Sequence, residues 1–291
     1  MTPAASRSAS LLPLALLLFA MASTQGGASL AKSLFPLAGA AGTAALRLLF
    51  SALLLTLVLR PWRLRLDRAG WRAVLLYGLS LGAMNLLFYL SLRTVPLGIA
   101  VALEFVGPLT LAVLASRRAA DLLWIALAAV GLWALLPGLR ADTPLDPLGA
   151  ACALAAGACW ALYVLAGRRA SLGGGMPTVA LASLVAAAAV LPAGLAASGA
   201  ALFSPPLLPY ALGVALLSSA LPYAIEVWVL ARMPARVFGT LLSLEPAFAA
   251  LSGLLFLGEA LAPLQWLGVA AVVAASAGVT AGQAGRARQA A

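Results

Sequence analysis

The sequence predicts an all-α membrane protein with ten transmembrane helices arranged as two inverted five-helix repeats. Composition, the spacing of the apolar runs and an internal match at a fixed offset carry that reading. Of 291 residues, 64% are hydrophobic and 9% are charged, whereas a soluble domain carries roughly 25% charged residues. Too little polar surface remains to cover a water-facing globule. At about 20 apolar residues per helical crossing, the spans fill nearly the whole chain and leave no room for a sizeable soluble domain.

Apolar runs broken by charge or by Gly and Pro define the elements in order. Span 1, residues 11–31, follows Arg7. Arg7, an apolar run and small residues near Met21 to Ser23 could suggest a secretory leader. The run continues past that point to Ala31 and the repeat needs it as a member, so it is expected to stay in the mature protein. Span 2, residues 39–59, ends at the basic stretch Arg60, Arg63, Arg65, Arg68 and Arg72. Spans 3 and 4, residues 73–92 and 97–115, are separated by a short turn holding Arg93, and Arg117 and Arg118 close the second of them. Span 5, residues 122–139, leads into a connection with Arg140, Asp142 and Asp146. Span 6, residues 148–167, stops at Arg168 and Arg169; spans 7 and 8 cover 177–198 and 207–230 and end at Arg232 and Arg236. Span 9, residues 237–257, precedes Glu259, and span 10, residues 263–282, precedes Arg286 and Arg288.

A cytoplasmic N-terminus places most of these arginines on the inner side and leaves Lys32, Arg93 and Arg140 outside, beside Asp142, Asp146 and Glu259. That asymmetry is the positive-inside bias. It predicts a multi-pass protein of the bacterial inner membrane with both termini cytoplasmic. The net charge of +10 is then accounted for by topology and by anionic inner-leaflet lipid. The bilayer is the expected partner, nucleic acid is not, and homodimerisation stays open.

An offset of 138 residues relates the two halves. It superposes Pro96 on Pro234, Pro108 on Pro246, Asp121 on Glu259, Ser80 on Ser218 and Ala20 on Ala158 without a gap. The repeats are residues 10–141 and 148–283, with five spans each. Because five is odd, the second copy enters the membrane from the opposite side, an architecture of transporters in which two inverted copies exchange conformations around a central site.

Composition also excludes chemistry. The chain has no His, so there is no imidazole base, no imidazole metal ligand and no Ser/His/Asp or Cys/His relay. No enzyme activity, metal or cofactor is expected. Cys152 and Cys159 are seven apart on one helical stretch, about 10 Å along the axis, too far to bridge.

The functional information lies in polar groups deep in the spans, because an ionised side chain at mid-bilayer costs about 2.5 to 3.5 kcal/mol on insertion scales. Arg47, Glu104 and Glu245 stand out. Glu245 aligns with Gly107, three residues from Glu104, so both acids are expected to face one central cavity. Pro108 and Pro246 lie close by and free backbone carbonyls there. Either acid can bind an ammonium or a coupling proton, or can pair structurally with Arg47 or cap a helix break. Arg47 can hold a carboxylate through its planar fork or neutralise an acid. Gln25 and Ser29 in span 1, Asn85 and Tyr89 in span 3, Tyr163 in span 6 and Tyr223 in span 8 are neutral groups that could line the pocket. Their alternative role is helix-to-helix hydrogen bonding, and Gly26 and Gly27 could simply allow close packing. Glu226, near the cytoplasmic end of its span and near Arg232, ranks below these.

The segments MASTQGGASLAKSLFP (21–36), YLSLRTVPLGIAVALEFVGPL (89–109), GACWALYVLAG (157–167) and RVFGTLLSLEPAFAALSG (236–253) resemble the bacterial threonine and homoserine exporter branch of the drug/metabolite transporter superfamily, whose repeat is the EamA type. The resemblance runs from about residue 10 to 283. It implies export of L-threonine, L-homoserine and related zwitterionic amino acids in exchange for protons. The chain departs from the family by Ala22 where a Trp is common early in span 1, while Trp160 is present in the second copy. Alternatives with other sequence consequences are the same fold carrying another metabolite or a cationic compound, and an intramembrane enzyme or sensor. The missing His and metal-ligand clusters argue against the last.

Overall fold

The computed structural model describes residues 5–114, 120–135 and 146–289, and every regular element among them is helical. In chain order these are α1 (Ala5–Ser33), α2 (Phe35–Leu59), α3 (Arg68–Ser91), α4 (Leu97–Glu104), α5 (Val106–Leu114), α6 (Ala120–Leu135), α7 (Pro147–Gly174), α8 (Pro177–Ser198) and α9 (Leu207–Ala215). A π-helical turn, Leu216–Ala220, joins α9 to α10 (Leu221–Leu230). Then follow α11 (Ala235–Leu242), α12 (Glu245–Leu257) and α13 (Pro263–Gln289). Among the described residues, seven helical runs are long and apolar enough to cross a membrane, and shorter apolar helices cover Leu97–Leu111, Leu123–Leu135 and Pro263–Gly278. Arg117, Arg118, Arg140, Asp142 and the end of predicted span 5 lie outside the described residues.

Large apolar side chains cover the outside, Leu57 at 70% exposure and Leu255 at 73% among them, as suits a surface solvated by lipid. Lipid removes the hydrophobic drive between helices, so association depends on close packing of small residues and on polar contacts. Ala186 of α8 packs against Gly82 of α3, and Gly194 of α8 packs against Ala41, Gly42 and Ala45 of α2. Ser198 donates to the Ala38 carbonyl at 2.6 Å along the same seam. Ser29 and Ser252 join α1 to α12 at 2.9 Å, and Ser243 and Ser276 join α11 to α13 at 2.8 Å. The Lys32 ammonium at the end of α1 meets Glu259 at 2.6 Å, and the other oxygen of Glu259 accepts from the Leu97 amide at 2.7 Å. Pro96 gives α4 no side-chain cap, so a carboxylate 162 residues away satisfies the first amide of that helix.

Three predicted spans are not continuous, and proline is the reason each time. Pro108, Pro222 and Pro246 have no N–H to give to the carbonyls of Glu104, Ser218 and Leu242, four residues earlier. The first and third breaks follow those carbonyls directly, at Phe105 and at Ser243, and the π-helical turn surrounds Ser218. Both breaks, and the extended N-caps Pro96 and Pro234, fall 138 residues apart. Predicted span 2 also starts early: α2 begins at Phe35 and kinks at Gly39, where φ is 62°.

Helix starts follow the ordinary capping rules. Asp67 caps α3 through the Gly70 amide at 2.7 Å. Asp146 caps α7, accepting from the amides of Leu148 and Gly149 at 3.1 Å each and from the Thr94 hydroxyl at 2.7 Å. These donors, Thr94 first and the Leu148 amide next, hold the Asp146 carboxyl below the usual carboxylate range. A carboxyl that ionises more readily in the folded state contributes stability above its unfolded pKa and loses it as pH falls through the folded value. Thermal melts of wild type and Asp146→Asn in detergent are expected to differ at neutral pH and to converge well below about pH 4. Identical melts at neutral pH would remove the charge of this cap from the account of stability.

Candidate functional site

Helices α1, α2, α3, α4, α7 and α12 and the π-helical turn converge on a cavity of about 160 Å³. Its polar and charged wall is Thr24 and Gln25 from α1, Arg47 from α2, Asn85 and Tyr89 from α3, Glu104 from α4, Trp160 from α7, Ser218 from the turn and Glu245 from α12. A roomier cavity of about 340 Å³ lies between α2, α3 and α8, but its wall of Phe35, Gly39, Ala40, Ala41, Leu90, Arg93 and Ala197 holds one charged side chain and is otherwise apolar. Ionisable groups, not volume, make the first the candidate site.

Arg47 organises the cavity. Its Nε donates to the Ser218 hydroxyl at 2.8 Å, one terminal nitrogen donates to the Ser218 carbonyl at 3.2 Å and the other donates to Asn85 Oδ1. Its guanidinium carbon lies 5.6 Å from the centre of the Tyr89 ring. The acceptors are themselves oriented: Asn85 spends an amide N–H on the Leu81 carbonyl at 2.9 Å, and Ser218 gives its hydroxyl proton to the Val214 carbonyl at 2.6 Å. Among the described residues every hydrogen-bond partner of Arg47 is neutral, and neither glutamate is within ion-pair distance of it. A guanidinium has five N–H donors, so two remain for a cargo.

The two acids stand on opposite sides of matched helix breaks. Glu104 is the last residue of α4, and Glu245 is the first of α12. The three-residue offset in the alignment therefore spans the break and is not a turn along one continuous helix. Glu104 is 7% exposed, and its carboxylate has no hydrogen-bond partner among the described residues. Glu245 receives one long contact, from Gln25 Nε2 at 3.5 Å. The Tyr89 hydroxyl, on a residue 1% exposed, likewise has no hydrogen-bond partner within bonding geometry among the described residues. Buried polar groups are ordinarily paired, and so many open valences around one cavity suit a solute that completes them.

Backbone approach fixes where Glu104 sits. At the α4/α5 break α7 crosses with Gly157 against the Glu104 carbonyl and with the Gly157 carbonyl against Gly107. A Cβ at either glycine would overlap the opposing backbone. The Trp160 ring, one turn further along α7, packs edge-to-face with Phe105, the ring centres 5.2 Å apart.

Glu104, Glu245, Arg47, Asn85, Gln25 and Tyr89 thus share one cavity. Tyr163 and Tyr223 do not line it. Tyr163 points to α3, where its hydroxyl meets Tyr77 at 3.2 Å with the rings 4.8 Å apart, and Tyr223 contacts the Met176 sulfur at 3.5 Å. Both lie past the cavity along their helices, a displacement that helical spacing alone does not reveal. Arg232 stacks on Trp228 at 3.9 Å and donates to its carbonyl instead of reaching Glu226. Gly27 packs against Ser218 while Gly26 has open space around it. Ser218 was absent from the expected lining, although Pro222 four residues on was a readable sign that its carbonyl is free.

The model of the EamA-like transporter family matches residues 147–281. The threonine/homoserine exporter RhtA of Escherichia coli strain K12 is 55% identical over 269 residues, which are 92% of this chain and 91% of that protein. The chain belongs to the EamA-like transporter family. The exporter of the same name from Salmonella typhimurium strain LT2 is also 55% identical over 269 residues. A solved crystal structure, 24% identical, aligns over 96% of this chain and 98% of its own with a TM-score of 0.58, so the fold occurs in a known structure. As a member of the EamA-like family with several membrane-crossing apolar helices, the protein is a multi-pass membrane transporter.

Proposed function

We propose that this transporter exports small neutral amino acids, threonine and homoserine foremost, across the bacterial inner membrane in exchange for protons. One observation carries the reading: a small cavity that holds two carboxyl groups and one guanidinium tethered only by neutral partners. An amino-acid zwitterion complements it, with its ammonium toward Glu104 or Glu245 and its carboxylate on the remaining donors of Arg47. The curated relatives, named as threonine/homoserine exporters, support the same cargo. The alternative of a drug-like cation fits less well, since it leaves the remaining donors of Arg47 without an acceptor.

The route is alternating access between two five-helix repeats, residues 10–141 and 148–283, inserted in opposite senses with both termini cytoplasmic. Matched helix pairings support it. Helix α3 packs on α7 as α10 packs on α1, α3 on α8 as α9 on α2, and α5 on α7 as α12 on α1. In that orientation Lys32, Glu259 and the start of α4 close the external side beneath which the cavity lies. An acid that binds the ammonium cannot hold a proton at the same oxygens, and this competition couples the two fluxes.

The test is threonine flux in membrane vesicles, with and without an imposed pH gradient, for wild type, Glu104→Gln and Glu245→Gln. Wild-type flux is expected to rise with the gradient and the variants to lose that dependence. Unchanged flux in both variants would remove the acids from the mechanism.

A further inference from the structure

We infer that Ser218, set by Pro222, is the positioning residue that keeps Arg47 ready for a cargo carboxylate and makes the transporter demand one. This rests on the amino-acid reading of the cavity. A long, flexible guanidinium sharing a cavity with two carboxyl groups would gain by collapsing onto one of them, and an internal ion pair would cancel the charge that selects the cargo. Ser218 holds it elsewhere with two acceptors from a single residue, the hydroxyl and the carbonyl.

Both acceptors are present because of local chemistry. The hydroxyl proton is committed to the Val214 carbonyl, which leaves lone pairs toward Arg47 Nε. The carbonyl is open because Pro222 has no N–H to return to it. The Leu217 carbonyl, five residues before Pro222, is likewise open and takes the Ser23 hydroxyl of α1 at 2.8 Å. The π-helical turn is thereby stapled to α1, where a Cβ on Gly27 would come within 2.8 Å of the Ser218 Cβ and amide nitrogen. Such π-helical turns often mark functional positions in helices. Here the turn presents one residue's side chain and main chain to the same guanidinium. Asn85 completes the hold from α3.

The experiment uses the full-length protein in proteoliposomes and compares threonine with threonine amide, in which a neutral carboxamide replaces the carboxylate. Ser218→Ala removes one acceptor, and Pro222→Ala returns an N–H that recaptures the other carbonyl. Wild type is expected to prefer threonine. Each variant should lower that preference about tenfold by raising KM for threonine more than KM for the amide, because only threonine loses a carboxylate contact to a displaced Arg47. A purely structural role would depress both substrates together, and that result, or a wild-type preference retained by both variants, would overturn the inference. Pro222→Ala restores a helical hydrogen bond and so keeps the test valid should Ser218→Ala fold poorly. A wild-type protein that carries neither compound would sink the amino-acid reading and the inference with it, whereas threonine transport with an unchanged ratio sinks the inference alone.

Discussion

Arg47→Ala is expected to raise KM for threonine by about 10²-fold or more in proteoliposomes. The substitution removes the cation and leaves the Ser218 carbonyl, the Asn85 Oδ1 and the cargo carboxylate without their donor. Breaking a buried charged contact on one side costs about 3–5 kcal/mol, and each 1.4 kcal/mol is a factor of ten. Arg47→Lys should recover only part of the loss. An ammonium is a point charge and cannot serve Ser218 Oγ, the Ser218 carbonyl, Asn85 and a carboxylate with one planar fork. Wild-type KM in Arg47→Ala would show that the carboxylate binds elsewhere.

The second large effect is on folding. Gly157→Ala should destabilise the protein by about 3 kcal/mol or more, at or beyond the upper end of overpacking costs, because the new methyl meets the Glu104 carbonyl and neither partner is a flexible side-chain end. Gly26→Ala is the control: nothing lies within 4 Å of a Cβ there, so it should melt like wild type. Fluorescence-detected size-exclusion chromatography after a heating series separates the two. The same contact places Glu104, so any folded Gly157→Ala protein should also lose threonine flux. Equal melting of both variants would mean that α7 does not cross the break so closely.

The membrane class, the apolar helices and the ionisable residues of the cavity were readable from the chain because hydrocarbon makes each of them conspicuous. A charged side chain inside an apolar run is costly, so Arg47, Glu104 and Glu245 announce themselves without any coordinates. Ser218 does not, since a serine in a helix usually satisfies itself on the preceding turn, and it does so here on Val214. What distinguishes it is Pro222, and proline opens a carbonyl without saying which neighbour will use it. Tyr163 and Gln25 are both eligible in sequence, Gln25 the stronger of the two, and one stacks on Tyr77 while the other reaches Glu245. Periodicity tells which residues share a helical face but not how far along a crossing helix the cavity lies.

By itself, then, the chain determined its solvent, its helical content and which groups must be ionisable in oil, because these follow from the local cost of exposing polar atoms to lipid. Tertiary structure decided that Arg47 is held by Ser218 and Asn85 and stays apart from both acids, and that Glu104 and Glu245 flank matched breaks around one small cavity. Partner choice among buried polar groups depends on distances of a few ångströms between helices far apart in sequence, and those distances are set by glycine contacts such as Gly157 with Glu104 and Gly27 with Ser218.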